Sequence, residues 1–151
     1  MNKEVKEEYT MFDLPDDLLK GWNIVVIDDE EDSLTVAQLI LEEYGANTHT
    51  ASNGQEGLTL IRSVRPKFVI SDLSMPVLDG WGLISKMQSD PALKDIPTIA
   101  LTAHAMIGDR ERAVAVGFHN YLTKPLTVET FIQDLVNLLV DIPALANELN
   151  I

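Results

Sequence analysis

Short apolar runs alternate with longer stretches in which apolar residues recur every three or four positions, and the alternation repeats five times along the chain. Asn23-Ile24-Val25-Val26-Ile27 is continuous and β-branched, the pattern of a strand buried on both faces. Leu34, Ala37, Leu41 and Tyr44 then follow at helical spacing, with Asp32 or Ser33 placed to cap the helix and Gly45 to end it. Residues 46–50 predict a short polar strand near a sheet edge, and Asn53-Gly54 opens a second helix through Ser63 carrying Leu58, Leu60 and Ile61. After Pro66 comes a third strand, Phe68-Val69-Ile70-Ser71, which runs into Asp72. A third helix extends from Gly80 to about Ser89 on Leu83, Ile84 and Met87, and Asp90-Pro91 breaks it. Residues 98–101 form a fourth strand ending at Thr102, and a fourth helix is expected between about 107 and 116, stopped by Gly117. Residues 118–122 form the fifth strand, ending at Thr123-Lys124-Pro125. Thr127 is placed to cap a last helix whose stripe is Val128, Phe131, Ile132, Leu135, Leu138 and Leu139.

Regular strand–helix alternation implies a parallel sheet with right-handed crossovers and helices on both faces. The expected fold class is therefore α/β, a flavodoxin-like doubly wound sheet of five parallel strands in the order 2-1-3-4-5. The domain spans 22–140, between an acidic extension at 1–21 and a tail at 141–151 that begins with a Pro-broken turn. The extension carries Phe12, Leu14, Leu18 and Leu19, which are expected to dock on the domain; a partner-binding or dimerising arm is the alternative.

Composition narrows the function. The net charge of −13, from 24 acidic and 11 basic residues, argues against nucleic-acid or anionic-membrane binding, which need a basic patch. With no cysteine, disulfides, thiol catalysis and cysteine-bound zinc are excluded. No secretory signal and no membrane-length apolar run is visible, so a cytoplasmic protein is expected.

The chemistry collects at strand ends. Asp28 and Asp29 follow the first strand, Asp72 the third, Thr102 the fourth and Lys124 the fifth, and parallel strands bring these ends to one edge. Carboxylates gathered there repel one another unless a cation joins them, and hard oxygen ligands suit Mg²⁺. Lys124 offers a phosphoryl group a point charge and Thr102 a directional hydrogen bond. Asp72 read alone is a nucleophile, a metal ligand or a cap. Asp28-Asp29-Glu30 alone reads equally well as a cluster matching a helix dipole. Asp79-Gly80 reads as a turn and cap, Met75-Pro76 as a loop former, Trp22 and Trp81 as packing residues, and His49 and His119 receive no role.

Asp28-Asp29, the run Asp72-Leu73-Ser74-Met75-Pro76-Val77-Leu78-Asp79-Gly80, Thr102-Ala103 and Lys124-Pro125 together resemble a response-regulator receiver domain of two-component signalling, over about residues 22–140. The resemblance implies a signalling phosphoacceptor, which catalyses only its own phosphorylation and dephosphorylation. It implies that Asp72 accepts a phosphoryl group from a histidine kinase or histidine phosphotransfer protein. Mg²⁺ would sit on Asp28, Asp29, Asp72 and the backbone carbonyl of Ser74. Lys124 would pair with Asp72 and then with phosphoryl oxygens, after a cis Lys124–Pro125 bond. Thr102 would move onto the phosphoryl group as Tyr121 turns inward. Ser74 and His104, two residues beyond Asp72 and Thr102, would tune dephosphorylation. An unknown downstream protein would dock on about 107–139, where Arg110, Glu111 and Arg112 form an exposed rim. The chain is expected to be a monomer or weak dimer and, because 141–151 is too short for a fold of its own, a stand-alone receiver. Alternatives are a degenerate receiver that binds proteins without phosphorylation, and a receiver from a hybrid histidine kinase, against which Met1 and the leader speak. A flavodoxin-type cofactor binder would need a phosphate loop where this chain is acidic. A haloacid-dehalogenase-type phosphatase would need an Asp-x-Asp pattern where Asp28 and Asp29 are adjacent.

Overall fold

Period-two alternation along the strands sorts the apolar core into two layers. The computed structural model describes residues 14–103 and 108–150. In them, β1 (Asn23–Ile27), β2 (Asn47–Ala51), β3 (Phe68–Asp72), β4 (Thr98–Thr102) and β5 (Asn120–Thr123) alternate with α1 (Glu31–Glu43), α2 (Gly54–Val64), α3 (Gly80–Gln88), α4 (Asp109–Val116), α5 (Phe131–Leu139) and a final α6 (Pro143–Ala146). The five strands form one parallel sheet in the order β2-β1-β3-β4-β5, as the alternation predicts. Ile24, Val26, Phe68, Ile70, Ile99, Leu101 and Leu122 face α1 and α5, packing with Ala37, Leu41, Phe131 and Leu135. Val25, Ile27 and Val69 face the opposite layer with Leu58, Ile61, Leu83 and Met87 of α2 and α3. Ala100 meets Ile84, Ala113 and Phe118 there, beside α4. β2 is an edge strand, which is why its sequence is polar.

Two helix ends match their sequence signals. Asn53 caps α2 by accepting from Glu56 N at 2.9 Å, while Ser52 N–H and its hydroxyl donate to Glu56 Oε1 at 3.3 and 3.1 Å. Asp79 caps α3, accepting from Gly82 N at 2.8 Å, so the Asp79-Gly80 pair is indeed a cap. Three local expectations need correction. Neither Asp32 nor Ser33 caps α1: the N-cap is Glu30, without a side-chain cap bond, and Glu31 and Asp32 lie in the first turn, where acidic groups suit the helix dipole. β5 starts at Asn120, because Phe118 is committed to closing α4, with its N–H on Ala113 O at 3.0 Å. α5 starts at Phe131: Thr127 instead closes the preceding turn, accepting from Thr130 N at 3.3 Å. Val128 consequently points to solvent, and Val136 fills the buried stripe with Phe131, Ile132, Leu135 and Leu139.

The chain on either side of the sheet extends the α1–α5 layer. Leu18 and Leu19 are fully buried and Leu14 nearly so, and Trp22 meets Phe68 edge-on with ring centroids 6.1 Å apart. Leu19 N–H bonds Tyr44 O at 2.9 Å and Gly21 N–H bonds Gly45 O at 3.1 Å, tying this segment to the α1–β2 turn. Ile142 and Leu145 join the same core. Asn150 then closes onto the leader, its N–H on Leu18 O at 3.2 Å and its side-chain amide on Asp17 O at 2.8 Å. Phe12 lies outside the described residues.

Candidate functional site

The register of the sheet decides which polar groups meet. Ile27 pairs with Ser71, so the next residues, Asp28 and Asp72, emerge side by side at the carboxyl edge. Asp72 pairs with Leu101, which puts Thr102 one step beyond it on the adjacent strand, and Lys124 N–H bonds Thr102 O at 2.8 Å. These ends have no further apolar run to continue the strands; they turn into loops whose polar side chains stay at the edge.

Lys124 spans the gap. Its ammonium lies 3.1 Å from Asp72 Oδ2, 3.1 and 2.9 Å from the two oxygens of Asp28, and 2.5 Å from Glu30 Oε1. The Lys124 side chain is only 7% exposed, against 0% for Asp28 and 8% for Asp72, so these charges face one another largely shielded from water. Burial raises the Asp28 pKa to about 6, with the neighbouring Asp72 charge adding to the effect, while hydrogen bonds from Glu30 N–H and Lys124 oppose it. Burial alone would lower the Lys124 pKa, but its hydrogen bonds to Glu30, Asp28 and Asp72 outweigh that and raise it. The lysine therefore stays charged through the physiological range. Asp72 Oδ1 accepts from Ser74 N–H at 3.2 Å, which fixes the carboxylate's orientation at the start of the loop.

Asp28, Asp29 and Asp72 each bring a carboxylate oxygen within 4.8 Å of the others. Asp28 Oδ2 is buried and accepts no hydrogen bond among the described residues, although the Lys124 nitrogen is 2.9 Å away. Three carboxylates with converging oxygens, beside a buried Asp28 oxygen that accepts no hydrogen bond among the described residues, fit a divalent cation such as Mg²⁺. Beside them a cleft of about 450 Å³ opens between the start of α1 and the β2–α2 loop, lined by Asp28, Asp29, Thr35, Thr50 and Glu56.

The other expected residues fall as follows. Thr102 is buried at 8% exposure, at the end of β4. Tyr121 is half-buried on β5 and packs against the cluster of Ile84, Ala100, Ala113 and Phe118. The Lys124–Pro125 bond is cis. His104 lies outside the described residues. Glu30 was not anticipated as a partner of Lys124. The signal available was its place two residues beyond Asp28, which lets its N–H bond Asp28 Oδ1 at 2.9 Å while its side chain swings over the site. Val77, exposed in the same loop, has φ +69° and sits in a three-residue turn closed by Leu78 N–H on Pro76 O at 2.8 Å, a strained conformation for a β-branched residue.

Comparison with known proteins agrees with this arrangement. Residues 24–136 match the family model of the response regulator receiver domain. An uncharacterised 14.6 kDa protein of Leptolyngbya boryana is 40% identical over 108 residues, covering 72% of this chain and 82% of the relative. The polar-differentiation response regulator DivK of Brucella anthropi is 33% identical over 119 residues, covering 79% of this chain and 97% of the relative. Among solved structures, the chemotaxis response regulator CheY4 of Vibrio cholerae superposes with a TM-score of 0.73 at 26% identity, over 78% of this chain and 98% of that one. The receiver domain of the Pseudomonas aeruginosa sensor histidine kinase PA1611, which holds a magnesium ion in its active-site cleft, gives 0.68 at 28% identity, over 77% and 94%. With sheet order, strand-end acids and bridging lysine all in place, the chain belongs to the response-regulator receiver family.

Proposed function

We propose that Asp72 accepts a phosphoryl group from a phosphohistidine of a histidine kinase or histidine phosphotransfer protein. The observation that carries the reading is the buried pairing of Lys124 with Asp72 at 3.1 Å beside the Asp28–Asp29–Asp72 cluster. A carboxylate oxygen of Asp72 attacks phosphorus; the new O–P bond forms as the N–P bond breaks, and the histidine nitrogen leaves with the electron pair. The protein's part is positioning and charge. The Ser74 N–H orients Asp72, Lys124 stays protonated to meet phosphoryl oxygens, and the Thr102 hydroxyl would donate to the group once transferred. Asp28, Asp29 and Asp72, with the Ser74 backbone carbonyl, would hold Mg²⁺, which when bound neutralises charge on the transferring group.

Tyr121 turning inward as Thr102 moves would carry the change to the surface at about 107–139, where a downstream protein docks. Arg110, Glu111 and Arg112 are exposed there, and Arg112 lies over the Trp81 ring at 4.1 Å. Ser74 and His104 are assigned to tuning phosphoryl lifetime; Ser74→Ala and His104→Ala are expected to change the decay rate of the phosphoprotein. The protein acts as a signalling phosphoacceptor, turning over only its own phosphoryl group, as a cytoplasmic monomer or weak dimer. No helix among the described residues is long and apolar enough to cross a membrane.

The test is intact-protein mass after incubation with Mg²⁺ and acetyl phosphate. Wild type should gain one phosphoryl group only with Mg²⁺, and Asp72→Asn should gain none. A folded wild type that gains none would favour a phosphorylation-independent binding module.

A further inference from the structure

An ammonium group has three hydrogens to donate. Lys124 uses them on Asp28, Glu30 and Asp72, with donor distances of 3.1, 2.5 and 3.1 Å. A phosphoryl oxygen arriving at Asp72 needs one of those donors, so one carboxylate must release it. Asp28 and Asp72 are buried, so each can give up the lysine only to another charged partner, the cation or the phosphoryl group itself. The Glu30 side chain is 63% exposed and passes into water at little cost. Its place at the N-cap of α1 does not hold it, because the side chain makes no cap bond. Its backbone is held, through the N–H on Asp28 Oδ1 at 2.9 Å. Nor does Glu30 belong to the three acids whose oxygens converge, so a cation gathered by those leaves the Glu30–Lys124 pair standing.

We propose that Glu30 is a positioning residue: a detachable counter-ion that holds the Lys124 ammonium over Asp72 and yields its donor to the incoming phosphoryl oxygen. The inference rests on the reading that Asp72 is the phosphoacceptor. Glu30 then competes with the donor's phosphoryl group for one lysine hydrogen, and acts on donor affinity rather than on the chemical step.

The experiment measures the initial rate of phosphorylation of the full chain against acetyl phosphate concentration at saturating Mg²⁺, with folding of each variant checked by its thermal melt. Glu30→Gln should lower the half-saturating acetyl phosphate concentration, and raise the rate at low donor, by about two- to five-fold, the range of an exposed ion pair, with the maximal rate unchanged. Glu30→Asp keeps the charge but shortens the reach by one methylene, and should shift the same way. Glu31→Gln removes an adjacent exposed charge whose side chain does not touch Lys124, and should shift less. Equal shifts in Glu30→Gln and Glu31→Gln, with Glu30→Asp at wild type, would mean that general charge repulsion is responsible and would overturn the proposal. So would no shift, or a fall in rate, in Glu30→Gln. A wild type that phosphorylates while the variants fail to shift defeats this inference alone; a wild type that takes no phosphoryl group defeats the parent reading with it.

Discussion

A methyl group at position 80 should disturb both the stability of the fold and the phosphoacceptor. Gly80 opens α3 directly against the end of β3, with its N–H on Leu73 O at 3.1 Å. A Cβ there would lie 2.3 Å from the Asp72 carbonyl oxygen and 2.8 Å from Leu73 Cα, where ordinary contact begins at 3.4 Å. Both obstacles are backbone, and the Leu73 peptide is pinned by its own N–H on Leu101 O at 3.1 Å. Relief requires moving α3 off the sheet or twisting the peptide that carries Asp72. Overpacking of this kind costs about 1–3 kcal/mol, partly offset by about 0.5–1 kcal/mol from replacing a helical glycine. Gly80→Ala should therefore lower stability by about 1 kcal/mol, and by no more than about 2.5 kcal/mol, a fall in Tm of about 2–4 °C for the central value. Gly82→Ala is the control: its Cβ would meet the Leu78 Cδ1 methyl at 2.5 Å, the free end of a side chain that can rotate away. Its Tm should stay within about 2 °C of wild type or rise, given the helix preference of alanine. Thermal melts of both variants without Mg²⁺ give the comparison, and acetyl phosphate labelling should be slowed only in Gly80→Ala. Equal stability of the two variants would refute the account of Gly80 as the contact between α3 and the Asp72 backbone.

Other consequences are as direct. Val77→Gly should stabilise the protein by about 1 kcal/mol, since relief of a strained positive φ is worth about 1–3 kcal/mol and the glycine returns about 0.5–1 kcal/mol of it as chain entropy; a drop in the urea midpoint would contradict the strain. Leu145→Ala should cost about 2–5 kcal/mol, as in any buried leucine truncation, because this tail residue belongs to the α1–α5 core. An unchanged melt would show that the tail packs without contributing. Burial lowers the His119 pKa below its ordinary 6.5, so the folded chain binds this proton less readily than the unfolded chain. The stability this provides is present above about pH 6.5 and is lost as pH falls through the lowered value. The urea midpoint should thus decline more steeply from pH 7 to 5 in wild type than in His119→Gln, and parallel declines would dismiss the histidine.

What the sequence made legible follows from which forces are local. β3 and β1 were readable because a strand buried on both faces must be apolar throughout, and the acids that end them stand out against that run. Asn53-Gly54 is legible as a helix start and Asp79-Gly80 as a cap because an Asn or Asp followed by glycine stands directly ahead of each apolar stripe. The start of α1 was not, because Glu30, Glu31, Asp32 and Ser33 are all plausible there and the choice is made by the distant strand pairing that fixes Asp28. At α5, Thr127 carries a cap signal, but it serves a turn that ends before the helix begins. The tail shows a Pro-broken turn in sequence, although Ile142, Leu145 and Leu149 recur at helical spacing; they pack in one core with the leader residues Leu14, Leu18 and Leu19, which lie far from them along the chain. Glu30 was missed for a similar reason. Proximity to Asp28 along the chain is visible, but a bond to a lysine 94 positions away is not.

The leader and tail meet at the pole of the sheet opposite Asp72. Trp22 accepts from Asn47 N–H at the amino end of the strands, and Glu148 pairs with Lys67 just before β3 begins. Strands of five residues separate this pole from the carboxyl edge by about 15 Å. A linker or capture tag joined through the tail thus departs from the far side. A chain immobilised that way on a surface presents Asp72, Lys124 and the acidic cleft to the solution, open to a phosphodonor as large as another protein.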